Sequence, residues 1–203
     1  MGVYKSLMKL SEQIRIWSRA FGRCVFPHQM AWFLDLPGRG LIMSANTVAE
    51  RLPVKPNARV LEIGPGSGYY SVQVARRIPD GNLTLLDVQA EMLEKSANKL
   101  KAAGITNFTT KQSDGKSLPF EDKTFDAIYL VTVFGEIKER ESFLLEAYRV
   151  LKAHGVLSIT EHHPDPDFEQ SHDVAECLYQ HGFITTQKLG WRWAYTLNAS
   201  KLS

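Results

Sequence analysis

From Arg59 onward the apolar positions fall into short runs separated by longer amphipathic stretches. Val60–Ile63, Asn82–Asp87, Phe108–Gln112 and Phe125–Val131 read as strands. The last of these, FDAIYLV, is almost continuously apolar, as a strand covered on both faces must be. Tyr69–Arg77 and Ala90–Ala103 read as helices between them. In the second helix Met92, Leu93, Ala97 and Leu100 share one side, and Gly104 supplies a C-terminal stop. A helix over Glu139–Lys152, a strand over Gly155–Thr160 and a helix over Asp173–His181 continue the alternation. Strands over Phe183–Leu189 and Ala194–Ala199 end it, as an antiparallel hairpin around Gly190-Trp191. Such alternation predicts an α/β fold with a doubly wound parallel sheet, right-handed crossovers and a ligand outside the carboxyl ends of the strands.

The chain ahead of Arg59 follows a different pattern. Over residues 3–26, Leu7, Leu10, Ile14, Trp17 and Phe21 recur at helical spacing, with Lys5, Lys9, Arg15, Arg19 and Arg23 on the remaining positions. The favoured reading packs this helix over the core or the site. The alternative is peripheral contact with an anionic membrane surface. Pro27–Arg51 is a connector too apolar to be a free linker. Ser44–Arg51 reads as a short helix capped by Ser44 or Asn46. The expected division is residues 1–56 as helix and connector, and 57–203 as the main domain.

Composition narrows this little further. A chain of 203 residues, 44% hydrophobic and 23% charged, is long enough for one substantial core. A formal net charge of +2 gives no case for a nucleic-acid partner. The two cysteines, Cys24 and Cys177, have neither metal nor redox spacing, which fits a reducing, cytoplasmic setting. No metal is expected: His162 and His163 are adjacent and point different ways, so with Asp165 and His172 they make a poor ligand set.

The chemistry concentrates in Arg59–Tyr70, RVLEIGPGSGYY. A buried strand runs into a loop holding Gly64, Gly66 and Gly68, and a helix starts behind it. Such a loop lets backbone N–H groups approach a polar or anionic ligand. A dinucleotide fingerprint, G-x-G-x-x-G, would need a third glycine where Tyr69 stands. The pattern present is E-x-G-x-G-x-G, from Glu62 to Gly68, and it closely resembles the first motif of class I S-adenosylmethionine (SAM) methyltransferases. Asp87, at the end of the second strand, is placed to accept two ribose hydroxyls, a role that suits any nucleoside. Ser113-Asp114-Gly115 follows the third strand. The segments DKTFDAIYLVTVFGEI (Asp122–Ile137) and LLEAYRVLKAHGVLSITE (Leu144–Glu161) are similar to the methyltransferase type 11 group, which includes ubiquinone/menaquinone C-methyltransferases. In place of the group's usual L-K-P-G-G turn this chain has Leu151-Lys152-Ala153-His154-Gly155. The resemblance covers roughly residues 57–200.

The resemblance implies a Rossmann-like fold: a mostly parallel seven-stranded sheet with an antiparallel C-terminal strand. It implies SAM as cofactor, with Gly64, Gly66 and Gly68 around the methionine and ribose and Glu62 orienting that loop. Asp87 then holds the ribose, Val88 packs on the adenine, Asp114 and Gly115 read the adenine edge, and Val131 places the methionine end. The acceptor is a small molecule, with a lipid or quinone-like one among the options. Acid–base candidates on the substrate side are Glu136, past the fourth strand, and Glu161 and His162, past the fifth. The plain alternatives are a helix cap for Glu136 and loop polarity for the histidines. Tyr69, Tyr70, Phe134, Trp191 and Trp193 are candidates for an aromatic pocket wall. The competing functional readings are an NAD(H)-dependent oxidoreductase, which the Tyr69 spacing opposes, and a non-catalytic SAM-binding module.

Overall fold

The structure is a computed structural model that describes residues 43–113 and 117–202. The helix expected over residues 3–26, most of the connector, and both Asp114 and Gly115 lie outside the described residues. The first described helix, α1 (Ala45–Arg51), is capped by Ser44, whose Oγ accepts the Thr47 backbone N–H at 3.0 Å. Seven strands follow: β1 (Arg59–Ile63), β2 (Asn82–Asp87), β3 (Phe108–Gln112), β4 (Phe125–Val131), β5 (Leu151–His162), β6 (Phe183–Trp191) and β7 (Ala194–Lys201). Helices α2 (Ser71–Arg77), α3 (Ala90–Ala102), α4 (Arg140–Val150) and α5 (Ser171–Gln180) lie between strands, and a single 3-10 turn, Phe134–Glu136, follows β4.

The strands form one sheet in the order β3-β2-β1-β4-β5-β7-β6. All neighbouring pairs are parallel except the two that involve β7. The chain therefore leaves β1 toward β2 and β3 on one side and returns to β4 on the other, which opens a crevice at the carboxyl ends of β1 and β4. This is the sheet that the alternation and the resemblance imply.

The alternation of side chains along β1 and β4 builds two cores. Leu61, Ile63, Ile128 and Leu130 face α4 and α5, where Leu144, Ala147, Val150, Val174 and Leu178 cover them. Val60, Ala127, Tyr129 and Val131 face the other way, toward Val48 of α1, Val74 of α2 and Leu93 and Leu100 of α3. Residues 43–52 therefore belong to the second core through Met43, Val48, Ala49 and Leu52. The sheet edges are polar: β3 is exposed over most of its length, and β6 largely so.

Some element ends differ from the sequence reading. Tyr70 stands ahead of α2 as its N-cap, so the helix begins at Ser71. Helix α4 stops at Val150, and Leu151 already pairs with Phe125, because a register shift between Phe125 and Ala127 absorbs the Lys152–His154 segment into a long β5. Strand β6 continues through Gly190 and Trp191, which pair with Tyr195 and Ala194, so the hairpin turns at Arg192-Trp193.

Candidate functional site

The site lies at the carboxyl edge, where β1 runs into the glycine loop. The Gly64 N–H extends the β1–β2 ladder by donating to the Leu86 carbonyl at 2.8 Å. Gly64, Gly66 and Gly68 all have left-handed φ, at 66°, 56° and 78°. Two of them also sit where a side chain has no room. A Cβ on Gly64 would lie 2.7 Å from the Val133 side chain just past β4, and one on Gly68 would lie 2.9 Å from the Ser96 backbone of α3. The first lets the loop approach the end of β4. The second lets it settle on α3, so Gly68 serves close packing.

Beneath the loop is a buried polar group. Glu62 is paired across the sheet with Tyr129, and Ser71 opens α2 beside them. Glu62 Oε2, Ser71 Oγ and Tyr129 Oη are all buried, and none of the three closes a hydrogen bond. Burial pushes the Glu62 carboxyl up to about 7, with the Asp87 charge adding to the shift and the Ser71 and Tyr129 hydroxyls opposing it. The Tyr129 phenol is driven well above its ordinary value by the same burial and by Glu62.

Asp87 closes β2 and is buried. Its Oδ1 accepts the Gln89 backbone N–H at 2.9 Å, and Gln89 itself is the N-cap of α3. Desolvation raises the Asp87 carboxyl, and the Gln89 and Val88 backbone N–H groups counter it. The next residue, Val88, is 36% exposed, so an apolar side chain faces outward directly beside a buried carboxylate. Gln112, at the end of β3, donates from Nε2 to the Val88 carbonyl at 3.0 Å and fixes that corner.

On the opposite side of the crevice β4 ends in an unusual backbone. Val131 is buried in the second core, but Thr132 has φ of 54°, a left-handed conformation that a β-branched residue rarely adopts. It is held there by its N–H, which donates to the Thr160 carbonyl at 2.8 Å, and by its hydroxyl, which donates to the Val131 carbonyl at 2.7 Å. The twist turns Val133 onto Gly64. Neither Thr132 nor Val133 stands out in the sequence, because nothing in their identity announces a left-handed residue.

The substrate-side candidates fall into two groups on opposite faces of the sheet. His162, at the end of β5, is buried and meets Tyr70, with the phenol oxygen 3.0 Å from Nε2. Its Nδ1 lies 3.1 Å from the His163 carbonyl, which can only accept. The proton therefore sits on Nδ1, and in the neutral ring Nε2 accepts from the Tyr70 hydroxyl. This bond ties the glycine-loop end to β5, and Tyr70 would have been read from the sequence only as an aromatic wall residue. Glu161 points to the other face, continuing the row of Leu157 and Ile159. It is 1% exposed, and neither of its carboxylate oxygens has a hydrogen-bond partner. Glu136 lies within the 3-10 turn, not at a cap of α4, whose N-cap position is Glu139.

Of the remaining aromatics, Phe134 is buried and Trp191 is 64% exposed. Trp193 packs edge-on to His163. His172 is exposed and sits beside Asp173. Among the described residues no three His, Cys, Asp or Glu side chains converge as a metal ion requires.

Comparison with known proteins agrees with this geometry. Residues 60–155 match the family model described as "Methyltransferase domain". The ubiquinone/menaquinone biosynthesis C-methyltransferase UbiE of Xanthomonas campestris is 31% identical over 140 residues, covering 68% of this chain and 53% of that protein. The enzyme of the same name from Haemophilus ducreyi is 31% identical over 110 residues, 53% of this chain and 42% of that protein. A SAM-dependent methyltransferase from Aquifex aeolicus superposes with a TM-score of 0.81 at 24% identity, covering 88% of this chain and 100% of that one. Residues 60–155 thus match a methyltransferase domain, and the sheet has the class I methyltransferase fold. It spans about half the length of the curated relatives it matches. The [4+2]-cyclase SpnF shares the fold, with a TM-score of 0.68 at 21% identity over 78% of this chain and 79% of that one.

The cofactor of a class I methyltransferase is SAM, and the residues present fit it. The glycine loop leaves space that side chains would fill, and Glu62 Oε2 is a buried acceptor with no partner. Asp87 offers a carboxylate, and Val88 offers an exposed apolar face next to it.

Proposed function

We propose that this chain transfers a methyl group from SAM to a small-molecule acceptor by in-line displacement. The observation that carries the reading is the convergence, at one switch point of the sheet, of three left-handed glycines, the buried Asp87 carboxylate and the exposed Val88. In this reading Gly64, Gly66 and Gly68 hold the methionine and ribose portion, and Asp87 accepts the ribose hydroxyls. Val88 covers the adenine, Asp114 and Gly115 read its edge, and Val131 positions the methionine end. Glu62 orients the glycine loop.

When bound, SAM supplies an already electrophilic methyl group on a sulfonium. What remains for the protein is to align a nucleophile and exclude water. Orientation of this kind lowers a barrier by about 7–11 kcal/mol. Val133 against Gly64 and the Tyr70–His162 bond hold the two walls of the crevice in fixed relation. Glu136, past β4, and Glu161 and His162, the last two residues of β5, are the groups that can hold or receive a proton on the acceptor side.

A quinone-like acceptor is a second reading, favoured by the names of the relatives. It gives the basic segment of residues 3–26 a role in bringing the site to a lipid surface; among the described residues no helix is long and apolar enough to cross a membrane. The test is to incubate the full chain with SAM and a panel of quinone precursors, lipids and small amines, following S-adenosylhomocysteine formation. Product that depends on one acceptor class supports the reading. No product with any of them, together with NAD(H) turnover, contradicts it.

A further inference from the structure

Three buried polar atoms meet beneath the glycine loop, and packing accounts for none of them. Tyr129 is 1% exposed in the second core, among Val60, Val74 and Ala127, where a phenylalanine would fill the same space. Ser71 is fully buried at the start of α2, where an alanine would pack as well. Both hydroxyl oxygens and Glu62 Oε2 lack a hydrogen-bond partner. Folds rarely keep such atoms, because an unpaired buried group forfeits its hydration and gains nothing in return. Here three of them are brought together from three different elements.

Register and chain path produce the meeting. Glu62 and Tyr129 are directly paired on neighbouring parallel strands, so their side chains leave the same face of the sheet side by side. The glycine loop begins two residues after Glu62, and its far end delivers Ser71 as the first residue of α2. Both hydroxyls lie close enough to act on the Glu62 carboxyl, and both favour its ionised form. A hydroxyl can donate and a carboxylate can only accept, so the direction of the two bonds is fixed. Burial and the Glu62 charge keep the Tyr129 phenol protonated, so it remains a donor.

The other groups around Glu62 are apolar or acidic. From β2 come Leu85, which is paired with it, and the Asp87 carboxylate, whose charge opposes its ionisation. From α1 and α3 come Val48, Ala49, Leu93 and Leu100. Burial and Asp87 thus press Glu62 toward the neutral form, and the two hydroxyls press it toward the charged one. SAM carries positive charge on its sulfonium and on its α-ammonium. A carboxylate beneath the loop attracts such a ligand, and a neutral carboxyl does not.

Resting on the methyltransferase reading, we propose that Tyr129 and Ser71 are positioning residues for the cofactor: their hydroxyls donate to the Glu62 carboxylate, hold it ionised beneath the glycine loop, and so couple SAM binding to release of the Glu62 proton. The proton passes to solvent, and no bond other than O–H is made or broken. Neither residue touches the reacting methyl group; each acts through Glu62.

The test is calorimetric titration of the full chain with S-adenosylhomocysteine, which keeps the α-ammonium, at a series of pH values from 6 to 8.5. Affinity is expected to rise about tenfold between pH 6 and pH 8, following the ionised fraction of a carboxyl that titrates at about 7. At pH 6, buffers of different ionisation enthalpy should report release of about one proton per ligand bound. Glu62→Gln should make the profile flat and abolish the proton release. Tyr129→Phe should move the midpoint to higher pH, so that affinity lost at pH 7 is regained at pH 8.5. Ser71→Ala should do the same and serves if the first variant does not fold. In the Glu62→Gln background Tyr129→Phe should have no further effect on affinity. A flat profile in the unaltered chain overturns the proposal, as does a Tyr129→Phe loss that is equal at every pH or that persists in the Glu62→Gln background. A pH dependence that survives Glu62→Gln assigns the proton to Asp87 and overturns it too. All of these leave the cofactor reading standing; failure of the unaltered chain to bind S-adenosylhomocysteine at any pH removes that reading and the proposal with it.

Discussion

Glu62 is the residue whose chemistry departs furthest from its sequence appearance. In an exposed loop it would be an ordinary carboxylate, but buried beneath Gly64 its pKa rises from 4.5 to about 7. A raised folded-state value means that the native protein holds the proton more tightly than the unfolded chain. The stabilisation is therefore complete below pH 4.5 and is lost as pH climbs through about 7, amounting to about 3 kcal/mol over the window. Denaturant titrations of the ligand-free protein across that range should show stability falling with pH. The fall should be shallower in Glu62→Gln by about that amount, and equal slopes for the two proteins would mean that Glu62 is ionised in the fold. Gly64→Ala tests the loop directly. It places a side chain at φ 66° and 2.7 Å from Val133, so about 1–2 kcal/mol of stability should be lost, read as a lowered melting temperature. Affinity for S-adenosylhomocysteine should fall at least about tenfold, because the loop must move away from the end of β4.

At the scale of elements, the sheet and its helices were legible in the sequence because their signals are local. Phe125–Val131 is apolar but for Asp126, Gly104 sits past α3 with left-handed φ of 75°, and the glycine loop follows a strand. The illegible parts depend on distant neighbours. The start of β5 at Leu151 comes from its pairing with Phe125, which no window around Leu151 contains. The burial of Glu161 comes from the return of residues 163–169 over it, and the Tyr70–His162 bond joins groups far apart in the chain. Asp114 and Gly115 remain expectations of the resemblance. The segment just after them is anchored through α4. Arg149 donates from Nη1 to the Phe120 carbonyl at 2.8 Å and from Nη2 to the Leu118 carbonyl at 2.9 Å, while Glu146 Oε2 accepts the Leu118 N–H at 2.9 Å. Arg149 also pairs with Glu146 and Asp122. Arg149→Ala should therefore cost about 1–3 kcal/mol in chemical denaturation, because it leaves two carbonyls without their charged donor. A change below about 0.5 kcal/mol would class the cluster as surface decoration.

For the whole molecule, one geometric fact is decisive. The sheet order reverses between β1 and β4, and the glycine loop, Asp87, Val88 and the left-handed Thr132 all gather at that reversal. A fold of this kind hosts more than one chemistry, as the [4+2]-cyclase neighbour illustrates, so the fold cannot stand in for the site. The site itself can be interrogated without knowing the acceptor. Calorimetric titration of the full chain with SAM, S-adenosylhomocysteine and NAD(H), repeated on Asp87→Ala, is the most direct test. Micromolar binding of both sulfur nucleosides is expected, with no binding of NAD(H) and a loss of about 1.5–3 kcal/mol in affinity when the Asp87 carboxylate is removed. Tight NAD(H) binding with no response to either sulfur nucleoside would contradict it.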